Sequence, residues 1–518
     1  MTRINNNVGS LIAQRVLGTN NQSLNTTLER LSTGFRINRG KDDPAGLIAS
    51  ENLRAEKASL GAAIGNAERA DQVVNIAEGG LTEIATLLED IQGLITTTAN
   101  TAGLSAEERE ANQLQIDSIL QTIERVAGAT SFQGKRLLNG SLDYNTTNVS
   151  ANVNDFSING AKIDSGGTRN VDVVVTGSAQ VGGFLLSFGG ANIDLASADS
   201  EFVIEIAGDL GSRELTFASG TALGDIVDAV NSFSEVTGVS AVLSTSNNAI
   251  RLESDELGSD KFVSLKVIDD GGIVGANSGV YTLSANDTNV ATPGSGVAFN
   301  TITNVVRDFG QDVTAFINGI RATTQGTEAR INTDFLDVRV DLATGGGTGS
   351  ATAQELGSVQ AFTITGGGAD FQLAPQVDIA GKVSVGIQNV AVRDLGRVTT
   401  DVGGSSETVF LADLTAGASL NVVDGDLGAA QKTVDEAITQ IASLRGRLGA
   451  FQQNTVGATI RSLGIAFENT TAAESVIRDA DFASETAELT RAQILVASTT
   501  QVLQQANTQP QNALQLLG

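Results

Sequence analysis

Several residue types that enzymes and metal proteins rely on are missing from this chain. Its 518 residues contain no His, no Cys and no Trp, with only two Tyr and 4 Pro. An imidazole base, a thiolate nucleophile, a disulfide and a His/Cys metal site are therefore all excluded. The sequence also lacks the aromatic anchors that usually line small-molecule pockets. We accordingly expect no catalytic residue, no metal ligand and no cofactor.

Positive charge is also scarce, since 32 Lys and Arg stand against 59 Asp and Glu, a net charge of -27. Nucleic acids and anionic membranes are bound largely through Lys and Arg, so neither is expected as a partner. No apolar run approaches the roughly 18 residues of a membrane span, and residues 1–7 show no apolar core of a secretory signal. We expect a chain that is cytoplasmic or is exported without a cleaved signal peptide.

The chain does contain a long apolar heptad pattern, which predicts a long helix in coiled-coil-like packing. Asp43 suits the cap and Pro44 the first helical position, so the helix is predicted over residues 44–99. At 1.5 Å per residue it is about 80 Å long. The repeating residues follow a 3-4-3-4 spacing: Leu60, Ala63, Ala67, Ala70, Val74, Ala77, Leu81, Ile84, Leu88, Ile91 and Ile95.

Two further segments carry helical apolar stripes. One opens with a capping box at Ser105 and Glu108. Its stripe is Ile116, Ile119, Ile123 and Val126, and the stripe of the other segment is Val434, Ile438, Ile441, Leu448 and Phe451. We expect both to pack with the long helix as one bundle, which makes the middle of the chain an insertion.

The extreme ends are amphipathic as well. At the front, Leu17, Leu24 and Leu31 lie seven apart, with Leu28 between them. At the back the residues are Leu489, Val496 and Leu503, interleaved with Ala492, Thr499 and Ala506. These seams predict pairing of the two ends with each other or with copies in other chains. Because they have little local core, we expect them to be disordered in the free subunit and to fold on contact with neighbours.

The middle, about residues 179–405, changes to period-2 apolar runs between Gly and Asn clusters, the pattern of half-buried strands. The runs are Phe202, Ile204 and Ile206, then Val263, Leu265 and Val267, then Leu336, Val338, Val340 and Leu342. Asn247-Asn248 suggests a hairpin turn. A short helix is predicted from Leu223, Ile226, Val227 and Val230. We expect one or two α+β domains, divided near Thr292-Pro293-Gly294.

Both ends resemble the bacterial flagellins. The resemblance covers about residues 1–145 and 428–518, and the segment 202–268 resembles a small module often inserted in flagellins and hook-associated proteins. The matching motifs are residues 31–38 (LSTGFRIN), 41–46 (KDDPAG), 130–138 (TSFQGKRLL), 491–495 (RAQIL), 505–507 (QAN) and 510–512 (PQN).

This resemblance implies a mixed α and β, multidomain fold: discontinuous terminal coiled-coil helices and a helical bundle with a β-hairpin region, enclosing inserted β-rich α+β outer domains. The expected domains are 1–44 plus 478–518, 45–178 plus 406–477, 179–292, and 293–405. The implied function is the extracellular structural subunit of the flagellar filament, which polymerises with itself and serves motility. The flagellar secretion apparatus would export it, with an export chaperone, the cap and hook-associated proteins as partners.

The polymerising residues are expected at both ends. For the inner tube of the filament they are Ile4, Val8, Leu11, Leu17, Leu24, Leu28, Leu31, Leu489, Ala492, Val496, Leu503 and Ala506. For the bundle seam they are Leu60, Val74, Leu81, Ile84, Leu88, Ile91, Ile95, Ile116, Ile119, Ile123, Ile438, Ile441 and Leu448.

The resemblance also carries a prediction about the vertebrate receptor that detects flagellins. Recognised flagellins commonly have an Arg where this chain has Asp90, and a Glu where it has Gln115. A charge reversal at the centre of an interface typically costs several kcal/mol. We therefore expect weak or absent recognition by this receptor.

Other interpretations remain open at the level of sequence. The middle domains suit a surface adhesin or a hydrolase, and a hook–filament junction protein shares the terminal chemistry. The acidic runs at Asp269-Asp270 and at residues 253–256 resemble cation ligands, but such runs are usually solvated loops. A zinc protease insert requires the HExxH motif, and the chain has no His.

Overall fold

The computed structural model describes residues 6–517, apart from 101, 165, 245–248, 274, 276, 283–295, 303, 345–353, 355 and 403–404. Ile4, the predicted Asn247-Asn248 turn and the predicted boundary at residues 292–294 lie outside the described residues. The chain divides into two compact units. Unit 1 is Met1–Glu78, Phe371–Lys382 and Arg445–Gly518, and unit 2 is Gly79–Asp370 and Val383–Leu444.

The helices lie mainly toward the two ends of the sequence, as the apolar stripes predict. Their bounds are α1 (Val8–Thr33), α2 (Pro44–Thr98), α3 (Ala106–Ala129), α4 (Leu223–Asn231), α5 (Ser234–Thr237), α6 (Leu427–Ala450), α7 (Gly457–Arg478) and α8 (Phe482–Leu517). Short 3-10 helices cover Phe299–Thr301 and Leu411–Leu414, and a π-helical turn at Phe451–Val456 joins α6 to α7.

The strands fill the middle. The first twelve are β1 (Ser131–Phe132), β2 (Lys135–Arg136), β3 (Tyr144–Thr147), β4 (Val153–Ala161), β5 (Arg169–Gly177), β6 (Gly183–Ser187), β7 (Glu201–Ala207), β8 (Ser212–Ala218), β9 (Val239–Leu243), β10 (Ala249–Ser254), β11 (Phe262–Asp269) and β12 (Gly279–Thr282). The others are β13 (Val306–Phe309), β14 (Thr314–Ile317), β15 (Ile320–Arg321), β16 (Thr323–Gln325), β17 (Glu328–Asn332), β18 (Leu336–Leu342), β19 (Gly357–Gly367), β20 (Ala369–Gln372), β21 (Lys382–Val385), β22 (Val398–Val402) and β23 (Ser405–Val409).

Helix α2 begins and packs as its sequence predicts. The Asp43 carboxylate accepts a hydrogen bond from the Gly46 backbone N–H at 2.9 Å, which caps the first turn. Every predicted heptad residue from Leu60 to Ile95 is buried. Helix α3 opens with the predicted capping box between Ser105 and Glu108.

Two β modules carry most of the strands, both within unit 2. The first β module, residues 183–309, pairs the sheets β12-β6-β10-β9 and β13-β11-β7-β8 around one core, with α4 packed against it. Phe202, Ile204 and Ile206 alternate inward on β7, as predicted. Since β7, β11 and α4 all fall where the apolar pattern predicts them, local sequence determines most of this module.

The second β module combines residues 144–177 with residues 313–367. Its sheets are β15-β14-β5-β19-β3 and β16-β17-β18-β4, and both contribute to one core. Strand β18 alternates buried and half-buried residues from Leu336 to Leu342, as predicted. The mixed α and β fold with terminal helices and β-rich middle is thus confirmed, whereas the four residue ranges proposed for the domains stay a prediction.

Candidate assembly surface

The two ends of the chain meet as an antiparallel helix pair, formed by α1 and α8 within unit 1. Asn7 caps α1, since its side-chain oxygen accepts from the Ser10 N–H at 3.0 Å. The same Asn7 side chain donates to the Ala506 carbonyl at 2.8 Å. The opposite end of the pair is held where the Ala480 N–H donates to the Gly34 carbonyl at 2.9 Å. Polar links are therefore present at each end of the pair.

The predicted seam residues lie on the less exposed side of each helix. Ala492 is buried. The half-buried members are Leu17, Leu24 and Leu31 on α1, and Leu489, Val496, Leu503 and Ala506 on α8. Within one chain the two seams lie against each other, and a two-helix pair leaves each seam only partly covered.

Polar contacts set the register of the pair. The Asn20 amide donates to Thr499 Oγ1 at 3.1 Å. Arg30 and Glu485 form an ion pair at 3.2 Å, and the Glu485 side chain is only 11% exposed. A nearly buried carboxylate requires its partner, so this ion pair specifies which turns of α1 and α8 lie opposite each other.

Several apolar side chains of the pair point to solvent. Leu11 is 63% exposed and Ile494 is 63% exposed. The terminal apolar face, as we call it, comprises Val8, Leu11, Ile12, Val16, Leu28, Ile494, Leu495 and Val502. Val8, Leu11 and Leu28 are among the inner-tube residues that the sequence predicts. The others are not among them, although Val8, Ile12 and Val16 follow the four-residue spacing of one helix side.

A short connection, residues 34–43, joins α1 to α2. Gly34 ends α1 in the left-handed region at φ 77°, which a residue with a Cβ disfavours. The Arg36 N–H donates to the Arg478 carbonyl at 2.7 Å. The Arg478 guanidinium lies over the Phe35 ring at 4.7 Å from its centroid. The connection that follows α1 is therefore tied to the C-terminal end of α7.

The Asp42 carboxylate closes this connection. It accepts backbone hydrogen bonds from Arg39 at 2.9 Å and from Asn38 at 3.2 Å. The Arg39 bond is the main cause that holds the pKa of Asp42 below its ordinary value. The turn is thus held by an ionised carboxylate.

The bundle-seam residues are mostly buried. Buried members are Leu60, Val74, Leu81, Ile84, Leu88, Ile91, Ile95, Ile116, Ile123, Ile441 and Leu448. Ile119 and Ile438 are half-buried. In their place Leu120, Ala437 and Leu444 complete the buried stripes of α3 and α6. The stripes are therefore one position wider than predicted. Their three- and four-residue spacings contained that signal.

Asp90 and Gln115, the predicted receptor-contact departures, are both exposed, on α2 and on α3 respectively. Neither side chain is needed for the packing of its helix. Both are therefore accessible to a protein partner in the free subunit.

The described residues show little sign of a metal site or a membrane-spanning helix. Among these residues, no three Asp or Glu side chains gather as metal ligands would. No helix in the described ranges combines the length and apolar character that a membrane crossing requires. An open cleft of about 770 Å³ lies beside Ala55, Glu56 and Ser59 of α2.

Comparison with known families and proteins gives matches at both ends and in the middle. The family model described as the bacterial flagellin N-terminal helical region matches residues 4–143. The bacterial flagellin C-terminal helical region matches residues 431–517, and the flagellin hook IN motif matches residues 201–256.

Curated relatives match along the whole chain. Flagellin of Salmonella typhimurium is 28% identical, and the match covers 99% of each chain. B-type flagellin of Pseudomonas aeruginosa is 29% identical at the same coverage, and Flagellin A of Helicobacter pylori is 26% identical. Among solved structures, FliC from Burkholderia pseudomallei is 14% identical, with a TM-score of 0.22 over 74% of this chain and 99% of that chain. The assignment of the family rests on the sequence matches.

Proposed function

Because the chain belongs to the bacterial flagellin family and is a structural subunit of the motility filament, we propose that it polymerises through its terminal helix pair. The observation that carries this proposal is the terminal apolar face. A free subunit that exposes Leu11 and Ile494, each 63% exposed, can bury them only against another molecule. Repetition of one such contact without closure generates a helical polymer.

The assignment of individual residues follows from burial. We assign the half-buried seam residues to the contact within one subunit. They are Leu17, Leu24 and Leu31 on α1 and Leu489, Val496 and Leu503 on α8. The terminal apolar face then packs against neighbouring subunits to form the inner tube. Burial of apolar area at about 25 cal/mol per Å² drives this assembly.

Seeded growth tests this proposal. Purified subunit is added to short filament seeds and elongation is followed by electron microscopy. The full chain should elongate seeds, and a chain truncated after Arg478, which lacks α8, should not. Leu11→Glu should abolish growth because it places a charge in the apolar face, whereas Gln14→Glu, at an exposed polar position of the same helix, should not. Normal growth of Leu11→Glu would refute the role of this face.

Partners other than the chain itself belong to the same proposal. The exposed apolar side chains of α1 and α8 require a shield before assembly, and an export chaperone that covers them would supply it. Export through the flagellar secretion apparatus needs no cleaved signal peptide. The filament ends would meet cap and hook-associated proteins through the same helices.

We also propose weak recognition by the vertebrate flagellin receptor, because Asp90 and Gln115 are exposed departures from the recognised pattern. The double variant Asp90→Arg with Gln115→Glu should raise the response of reporter cells well above that of the unmodified chain. Glu68→Arg, an exposed charge reversal elsewhere on α2, should leave the response unchanged. A strong response to the unmodified chain would contradict the proposal.

The role of flagellins is structural, and we propose that this chain likewise has no catalytic activity. Neither the described residues nor the related proteins favour a surface adhesin, a hydrolase or a hook–filament junction protein. A hydrolase assay of the full chain on glycan and peptide substrates tests this, and a reproducible rate above that of a denatured control would contradict it.

A further inference from the structure

The chain contains three Asn-Gly pairs, the sequence at which an asparagine most readily loses its side-chain amide. They are Asn139-Gly140, Asn159-Gly160 and Asn318-Gly319, all in unit 2. The glycine backbone nitrogen attacks the asparagine Cγ, since glycine has no Cβ that hinders the approach. The proton that this nitrogen loses leaves with the side-chain nitrogen as ammonia, and a cyclic succinimide remains. Water then opens the ring to aspartate or isoaspartate. The three motifs are alike, so only their surroundings distinguish them.

Asn318 is held at both ends of its side-chain amide. It lies in the two-residue turn between β14 and β15. Its Oδ1 accepts a hydrogen bond from the Asp172 N–H at 2.9 Å, and its Nδ2 donates to the Asn170 carbonyl at 3.1 Å. Both partners are on β5. Ring closure would require the amide to leave them, so these bonds protect Asn318.

Asn159 is held by the pairing of strand β4. The register of β4 with β18 sets Gly160 opposite Asp337. The Asn159 amide donates to Asp337 Oδ1 at 3.2 Å, and the Asn159 carbonyl accepts from the Gly386 N–H at 2.9 Å. Ring closure requires the main chain at this residue to rotate out of the extended conformation. The strand pairing opposes that rotation, so Asn159 is protected as well.

Asn139 lies in the turn that follows β2, and its amide is arranged differently. Its Oδ1 accepts a hydrogen bond from the Ser141 N–H at 3.2 Å. Because this donor is only two residues further along the chain, the bond folds the amide back toward the Gly140 nitrogen. Among the residues that the structure describes, neither Asn139 Nδ2 nor the Gly140 N–H has a hydrogen-bond partner. The leaving group and the nucleophile are therefore both unrestrained.

The Ser141 N–H also assists the reaction itself. Negative charge develops on Asn139 Oδ1 when the Gly140 nitrogen attacks Cγ. A backbone N–H that already donates to this oxygen stabilises the developing charge, as the donors of an oxyanion hole do. Asn139 and Gly140 are only half-buried, so water can reach the ring and open it.

We propose that Asn139 is a site of spontaneous deamidation in the folded chain, through a succinimide with Gly140, and that Asn159 and Asn318 are protected. Each event consumes one water and releases one ammonia, and no other reactant is needed. The product carries a new carboxylate. This inference does not depend on the filament function.

The modification has a structural consequence, because the main chain is held on both sides of Asn139. The Leu138 carbonyl accepts from the Val390 N–H at 3.1 Å, and the Leu142 carbonyl accepts from the Ile387 N–H at 3.0 Å. The isoaspartyl product lengthens the main chain by one carbon between these two attachments. The turn is thus weakened as the protein ages.

Peptide mass spectrometry tests the proposal on the full chain. The chain is incubated folded and, in parallel, unfolded in guanidinium chloride, and the exchange of NH2 for OH is followed at the three asparagines. In the unfolded chain the three should react at similar rates, because the motif is the same. In the folded chain Asn139 should react on the order of tenfold faster than Asn159 or Asn318, since each hydrogen bond that must break first slows the step by about that factor.

Two variants at one position isolate the role of the Ser141 N–H. Ser141→Pro removes this donor and should slow the reaction at Asn139 severalfold in the folded chain. Ser141→Ala keeps the donor and removes only the hydroxyl, which donates to the Arg136 carbonyl, so it should leave the rate unchanged. Equal rates in the two variants would contradict the role of the N–H.

A third variant tests the consequence of ageing. Asn139→Gln cannot form the five-membered ring readily, so prolonged incubation should lower the melting temperature of the unmodified chain more than that of this variant. An equal decline in both would contradict the weakening of the turn. A rate at Asn139 in the folded chain no higher than at Asn159 or Asn318 would overturn the proposal as a whole.

Discussion

The terminal helix pair and the first β module differ in how far their apolar side chains are buried. In the β module, two sheets and α4 close around Phe202, Leu265 and their neighbours, and these side chains are fully buried. In the helix pair the seam is half-buried and Leu11 and Leu28 face solvent. The module buries its apolar side chains within itself, whereas the pair exposes a face that only another chain can cover. The same amino-acid types therefore serve stability in one region and assembly in the other.

The largest effect on the free energy of unfolding should come from a cavity in the core of the first β module. Leu265 lies on β11 opposite Ile206 of β7 and Val306 of β13, with no exposed surface. Leu265→Ala should lower the free energy of unfolding of the first β module by about 3–5 kcal/mol. Calorimetry measures this loss. Seeded growth should continue below the new melting temperature, and its loss there would show that the two regions are not independent.

The second β module offers a pH test of burial. Burial raises the pKa of Tyr144 to about 12. Because the folded pKa lies above the ordinary value near 10, the contribution to stability is complete below about pH 10 and is lost as pH rises through 12. The loss should reach about 2–3 kcal/mol. Unfolding measured from pH 9 to 12 should show this fall, and Tyr144→Phe should remove it, while a fall that persists in that variant would assign it to other groups.

A smaller effect is expected from the ion pair of the helix pair. Arg30→Met leaves the Glu485 carboxylate, only 11% exposed, without its partner. We expect a cost of about 2 kcal/mol. The critical concentration for filament growth should then rise about thirtyfold. The double variant Arg30→Met with Glu485→Leu should recover most of the loss, and equal defects in both variants would show that the register does not depend on this pair.

The smallest effect on the free subunit should come from the counterpart of the first substitution. Leu28→Ala changes the same residue type, but Leu28 is 45% exposed. Its effect on the unfolding of the free subunit should stay within about 0.5 kcal/mol. Filament growth from seeds should nevertheless slow severalfold, because Leu28 belongs to the face that neighbours cover. A defect confined to the free subunit would reverse the comparison.

Sequence alone predicts the elements of this chain well where the signal is local. The heptads from Leu60 to Ile95, the Ser105 capping box and the alternation on β7 each lie within one element. Each of these elements buries one apolar face. That face determines both the spacing of the apolar residues in the sequence and their burial in the structure.

The remainder depends on contacts between distant segments. Strand β4 pairs with β18 in a register that joins Val340 to Phe156, and no local pattern selects that partner. The π-helical turn at Phe451–Val456 is another case, since the Gln452 amide within it reaches Asp71 and Asn75 of α2 at 2.9 Å each. The terminal apolar face was only partly predicted, because exposure depends on which side α8 occupies.

The link between Asn7 and Ala506 spans 499 positions of the chain, and this has a kinetic consequence. A contact of such separation cannot form until both ends of the chain are available, and contacts between distant segments slow folding. Helix α1 therefore waits for its partner until almost the whole chain is available. A chain that emerges through any narrow passage, from either end, keeps its adhesive surfaces unformed until passage is nearly complete. Because its two terminal helices pair with each other, the subunit becomes able to assemble only after almost the whole chain is available.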